Sequence, residues 1–210
     1  MTLLSWDITR ASAFVALVCY TITVAWGIAL TARSFRPPVA PQFDYHRFVS
    51  VLGLAALVTH VTSLLVDRYS GIHIGTLLGV RASAVVLPGV VAFWLVVALP
   101  FSFRAKGRKW ISQPVWRAFH YAGYAVFGLA ILHGVTAGTD TGQPWTLAIY
   151  GTCGASVGAV AWWRFVDAPR AAKARRAAKE HQAAAGTAVR TPADAAATAE
   201  PPPASDGIAA

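Results

Sequence analysis

Hydrophobic residues fall in long runs, broken by short stretches rich in arginine, proline or glycine. The runs extend from Trp6 to Leu30, Pro41 to Val66, Arg81 to Phe101, Pro114 to Ala137 and Thr146 to Phe165. Each approaches or exceeds the roughly 20 residues an α-helix needs to cross a bilayer core. The first is too long for a signal-peptide core, lacks a clear cleavage site and carries Asp7 and Arg10 in its opening turns. The connection Asp67–Val80 holds Gly71, His73, Gly75 and Gly79, which suits a membrane interface. Pro88–Gly89 reads as a kink inside the third run. Arg104, Lys106, Arg108 and Lys109 form a basic loop, and Thr139–Trp145 a short turn. The expected fold is all-α: a polytopic transmembrane bundle of five helices over residues 1–168.

From Pro169 the pattern changes. Arg170, Lys173, Arg175, Arg176 and Lys179 alternate with alanine, which can extend a helix along the membrane surface. After Gly186 the chain is Ala, Thr and Pro rich, and its lack of apolar bulk predicts disorder. Residues 169–210 are thus expected to be a basic, then low-complexity tail, largely disordered.

Composition sharpens the class. The 210 residues are 56% hydrophobic and only 13% charged, a pairing that soluble domains rarely show. Cys19 and Cys153 lie in apolar runs and form no CxxC, so they read as small buried residues. The net charge of +9 points to topology and to anionic lipid headgroups around the basic tail, with no nucleic-acid partner expected. Arg33 and Arg36, the Arg104–Lys109 cluster and the tail fall on one side of a five-helix count; Arg68 and Arg81 fall on the other. That asymmetry predicts a plasma-membrane protein with its N-terminus outside and its C-terminus in the cytoplasm.

The second and fourth runs each carry two histidines: His46 and His60, 14 residues apart, and His120 and His133, 13 apart. Either spacing is roughly 20 Å along a helix, about two-thirds of a bilayer core. His46 and His120 lie five and six residues past Pro41 and Pro114; His60 and His133 lie seven before Asp67 and Asp140. In two co-directional helices this gives an inner level, His46 with His120, and an outer level, His60 with His133. Two levels of paired imidazoles suit two stacked haems with bis-histidine axial ligation. Methionine ligation is excluded, because Met1 is the sole methionine. The rival readings are four packing histidines, or a zinc or copper site; the second is weakened because four imidazoles on levels so far apart cannot meet on one ion. One angle is untidy: on an ideal helix a 13-residue step ends about 140° away from its start, so the fourth helix must distort or present its two rings on different sides.

Haem propionates would call for cations. Arg47 and Arg117 neighbour the inner pair in sequence, and Arg10 and Arg81 lie at the outer ends of their helices. Snorkelling to headgroups competes with propionate pairing; the propionate reading is preferred for Arg10, and both stay open for the other three. Gly123, Gly128 and Gly134 can admit a macrocycle or a close helix, while Gly154 and Gly158 suit helix packing. His73 is a candidate for a substrate or quinone site, though an interfacial loop histidine is the commoner case. His181 is expected to be solvated.

These residues carry a resemblance. DYHRFVSVLGLAALVTH, WRAFHYAGYAVFGLAILHG and, more loosely, WDITRASAFVAL resemble the ferric reductase-like transmembrane domain, the membrane core of NADPH oxidases, ferric reductases and the haem-binding subunit of a methionine-sulfoxide reductase system. The similarity covers about residues 6 to 166. It implies two haem b groups, held by His46–His120 and His60–His133, that pass electrons from a cytoplasmic donor to an outer acceptor. Many such proteins have six helices, against five here. The oxidases and reductases add a flavin and nicotinamide domain, and only about 40 residues without a glycine-rich nucleotide loop follow the last run. The expected donor is therefore a separate flavoprotein or a membrane quinol; the acceptor can be ferric iron, oxygen or a periplasmic partner. No residue is assigned a catalytic role beyond this oxidoreductase membrane component. The alternative is a non-redox membrane protein, such as a small transporter, assembly factor or anchoring subunit, that uses histidines for protons or metal.

Overall fold

A computed structural model describes residues 3–31, 39–67 and 70–189. Arg33, Arg36 and Arg68, on which part of the topology reading rests, lie outside the described residues, as does the tail from residue 190. The described chain is helical: α1 (Leu3–Thr31), α2 (Val39–Val66), α3 (Ile74–Leu77), α4 (Leu87–Gly107), α5 (Gln113–Ala137) and α6 (Pro144–Val189). Four of these are long and apolar enough to cross a membrane: Leu4–Leu30, Pro41–Val66, Leu87–Gly107 and Gln113–Ala137. The fifth expected span forms the first part of α6, but its Gly, Ala and Trp content leaves it short of the apolarity of the others. By backbone proximity the chain divides after Phe165 into two units.

Exposure runs opposite to that of a soluble bundle. Large apolar side chains lie exposed on every candidate span, among them Val15 and Val18 on α1, Phe48 and Val51 on α2, Val91 on α4, and Phe119 and Leu132 on α5. Thr9, Ser12, Thr21 and Ser102 are buried instead. Each donates its hydroxyl to a backbone carbonyl three or four residues earlier on its own helix, such as Ser12 Oγ to Ile8 O at 2.6 Å and Thr21 Oγ1 to Leu17 O at 2.8 Å. Such an arrangement is what lipid as solvent favours: apolar faces outward, and these buried hydroxyls bonded to their own helix.

Several boundaries differ from expectation for local reasons. The third run starts at Leu87, not Arg81, and Pro88 and Gly89 lie in its first turn. Proline at a helix start gives up an N–H that has no intrahelical partner anyway, so it opens α4 instead of kinking it. The interior proline of α4 is Pro100. Arg104 and Lys106, expected in a loop, form the last turn of α4, where cations complement the helix dipole. Beyond it the Arg108 guanidinium lies 5.0 Å from the Trp110 ring centre. Pro114 sits in the first turn of α5 behind the N-cap Ser112, whose Oγ accepts from Val115 N at 3.5 Å. Helix α6 continues through Pro169 into the basic, alanine-rich stretch as far as Val189, since alanine has the highest helix propensity. Gly154 and Gly158, expected to pack closely, meet no described atom within 4 Å of a would-be Cβ, so that face of α6 is turned away from the bundle.

Neighbouring helices pack antiparallel. The start of α1 meets the end of α2 through Thr9 Oγ1 and Ser63 Oγ at 2.7 Å, and its far end meets the start of α2 through Trp26 and Tyr45. The start of α4 lies against the end of α5, where His133 reaches Val85 O. The principal helix pairs are α1 with α2 and α4 with α5, joined by a smaller contact of α1 with α5; α2 and α5 scarcely approach one another. Leu17, Val24 and Ile28 of α1 form one core with Phe127 of α5 and Cys153 of α6. A second core joins Ala92 and Val96 of α4 to Val126 of α5, with Tyr20, Leu54 and Leu57 packed on it. Val126 is 2% exposed at the point where four helices meet. Val126→Ala should lower unfolding stability by about 1–3 kcal/mol, while Val91→Ala on the lipid-facing side should stay within about 0.5 kcal/mol; thermal melting in detergent compares the two.

Candidate functional site

The structure brings His46 and His120 together and places His60 and His133 along one cavity. The His46 and His120 ring centres are 6.3 Å apart, although α2 and α5 hardly touch. His60 and His133 line a single cavity of about 450 Å³, within the roughly 300–1,000 Å³ usual for ligand sites. Because His46 approaches His120 at one level and His60 and His133 line one cavity at the other, α2 and α5 run in the same direction. The two levels are separated by the packed layer around Val126, Tyr20, Leu54 and Leu57.

How each ring is held determines which nitrogen is free. His60 Nδ1 donates to Thr9 O at 2.9 Å, and His133 Nδ1 donates to Val85 O at 3.3 Å. Val85 O lies just before α4 and also accepts from Thr136 Oγ1 at 3.5 Å. A ring that donates through Nδ1 to a backbone carbonyl keeps its lone pair on Nε2. The same device orients ligating histidines in metal sites. The His46 ring interacts with the Thr23 backbone, but its Nδ1 is buried without a well-directed hydrogen bond. His120 is exposed and stacks on Trp116, with ring centres 5.2 Å apart at 21°. Among the described residues no group of three or more His, Cys, Asp or Glu converges; the arrangement is one of pairs.

Two glycines give the rings their room. A Cβ on Gly27 would lie 3.4 Å from His46 Cε1, an ordinary contact, whereas one on Gly89 would lie 2.8 Å from three His133 ring atoms. The angular difficulty of α5 is met by its two rings leaving on different sides: His120 toward α2, and His133 toward the start of α4. Of the other small residues, Gly134 serves helix packing, since a Cβ there would meet the Tyr150 hydroxyl at 2.5 Å.

The cations separate. Arg10 lines the cavity, and its Nε lies 2.5 Å from Asp140 Oδ2, with Asp7 3.9 Å from its Nη1. Arg47, Arg81 and Arg117 are exposed and do not line the cavity. His73 is also exposed and outside the lining; its backbone N–H donates to Thr76 Oγ1 at 3.4 Å, at the start of α3. Ser70, Ile72, Thr76 and Leu77 of the same connection do line the cavity. Sequence reasoning missed Gly89, Thr146 and the partnership of Arg10 with Asp140. Only the last had a signal: an arginine within an apolar segment needs an acid at matching depth, and Asp140 stands at the same end of the bundle.

Comparisons with known proteins are sparse. No family model matches the chain, and no solved structure matches it. Over 123 residues, 58% of the chain, it is 27% identical to a protein named magnetosome protein MamZ from Paramagnetospirillum magneticum (strain ATCC 700264 / AMB-1). The match covers 18% of that relative's length, so the chain corresponds to a small part of it.

Proposed function

We propose that the protein is a membrane di-haem b electron carrier, with His46 and His120 as axial ligands at one level and His60 and His133 at the other. The observation that carries this reading is the 6.3 Å between the His46 and His120 ring centres, on two helices that scarcely approach one another. Two imidazoles that each hold a metal through nitrogen at about 2 Å place their ring centres roughly 6 Å apart. The outer pair adds a cavity of about 450 Å³ and two rings whose Nε2 atoms are left free by Nδ1 hydrogen bonds. Bound haem would supply one-electron transfer at each level. The chain's part would be to fix the ligand rings, exclude water with Val126 and its neighbours, and surround each level with apolar side chains.

In this reading the first part of α6 is a fifth span. The N-terminus lies outside and the C-terminus in the cytoplasm, so basic residues flank the inner level. A separate flavoprotein or a membrane quinol would deliver electrons, and the basic end and tail would contact anionic lipid. The likeness to MamZ supports no narrower choice of donor or acceptor.

A reduced-minus-oxidised absorption spectrum of protein purified from haem-replete cells tests the proposal. Haem b bands with two haems per chain are expected; absence of the bands removes the redox reading and leaves the histidines to protons or to another metal.

A further inference from the structure

We propose that the end of the cavity beside Arg10 is a carboxylate subsite, in which Arg10 and Thr146 receive an acid group of the bound ligand and Asp140 is the internal counter-ion that this group displaces. The inference rests on the reading of the His60–His133 cavity as a porphyrin site.

Arg10 lies within an apolar span, where an unpartnered guanidinium is costly. Asp140 neutralises it from the turn between α5 and α6, and both residues line the cavity. The match is imperfect: Nε lies 2.5 Å from Asp140 Oδ2, yet no directed hydrogen bond forms, and Nε is buried without another partner. Asp7, the second acid near Arg10, is 3.9 Å away and has a side chain 68% exposed. Thr146 gives the independent sign that something polar is missing. It is 1% exposed, its Oγ1 has no hydrogen-bond partner, and it lines the same cavity from the first turn of α6. A buried hydroxyl left unpaired is unfavourable, and the start of a long helix favours negative charge.

Charge decides between addition and exchange. Arg10 and Asp140 are together neutral, so a ligand carboxylate arriving beside them would set two anions against one guanidinium in apolar surroundings. Asp140 can withdraw, because its turn is flanked by the exposed Gly138 and Gly142. The ligand carboxylate then takes the place of Asp140 beside Arg10 and accepts from the Thr146 hydroxyl.

The test is an absorbance titration of full-length haem-free protein, in a His120→Ala background that leaves only the outer level to read. Two probes are compared: iron protoporphyrin IX and its dimethyl ester, which lacks carboxylates. The free acid should bind more tightly than the ester. Asp140→Asn should tighten free-acid binding about tenfold, about 1.4 kcal/mol, and leave the ester unchanged, while Thr146→Val should weaken the acid alone. Equal binding of acid and ester, or an Asp140→Asn effect identical for both, overturns the subsite and leaves the haem reading standing. Failure of both probes to bind overturns the two together. Should Asp140→Asn not fold, the acid-against-ester difference in the unsubstituted outer site decides.

Discussion

Replacing any one of the four paired histidines with alanine should reduce haem content from two per chain to one. The levels are built independently: His46 faces His120, His60 shares its cavity with His133, and the Val126 layer lies between them. Loss of one axial ligand therefore removes the haem of its own level and leaves the other in place. Even changes to the groups that hydrogen-bond metal-binding histidines typically reduce affinity 10–100-fold, so loss of the ligand itself should exceed that and read as complete loss in a purified sample. His60→Ala and His133→Ala should yield the same residual spectrum, that of the inner haem; His46→Ala and His120→Ala should yield the other. A double substitution across levels, His46→Ala with His133→Ala, should leave none. Pyridine haemochromogen assay against protein concentration measures all of these. If the residual spectra pair in any other way, such as His46 with His60, the ligand assignment is wrong although the protein binds haem. Full haem content in every single variant would place the cofactor elsewhere.

Much of this arrangement was legible because lipid imposes so few solutions. The first, second and fourth apolar runs became α1, α2 and α5 within a few residues, since length and apolarity together specify a span. The depth of each histidine followed from its distance to a proline or aspartate near the helix end, and the pairing followed from depth. What could not be read depended on azimuth and on backbone. Helix periodicity left open whether α5 would distort or present His120 and His133 on different sides, and gave no sign that His133 would turn to the start of α4. No pattern of side chains announces that the carbonyls of Thr9 and Val85 will accept from His60 and His133, because every residue carries a carbonyl. Pro88–Gly89 misled for a related reason: the same dipeptide can kink a span or open one, and only the packing of His133 against Gly89 distinguishes them. Sequence set Arg10 apart because it stands inside an apolar run, and of the four arginines it alone lines the cavity, where Asp140 meets it.

Gly89→Ala should abolish the outer haem while leaving the inner haem and the fold intact. The added methyl carbon would lie 2.8 Å from Cγ, Cδ2 and Cε1 of His133, closer than carbon atoms can pack without displacement. The ring has little freedom to yield, because the Nδ1 bond to Val85 O holds it from the same side as the methyl group. Moving away from residue 89 breaks that bond and displaces Nε2 within the cavity. Alanine is otherwise favourable in a helix, by roughly 0.5–1 kcal/mol over glycine, so α4 itself should not suffer and the melting temperature without haem should hold or rise. Gly27→Ala is the matched control: its methyl carbon would lie 3.4 Å from His46 Cε1, a contact that needs no movement of the inner ring. The expected outcome is at least a tenfold loss of haem affinity at the outer level for Gly89→Ala, with both haems retained by Gly27→Ala. Serine at 89 should behave as alanine does, because it adds the same Cβ. Retention of both haems with unchanged spectra in Gly89→Ala would mean that His133 does not need its present position to bind. The outer ligand pair would then have to be assigned again, starting from residues other than His133.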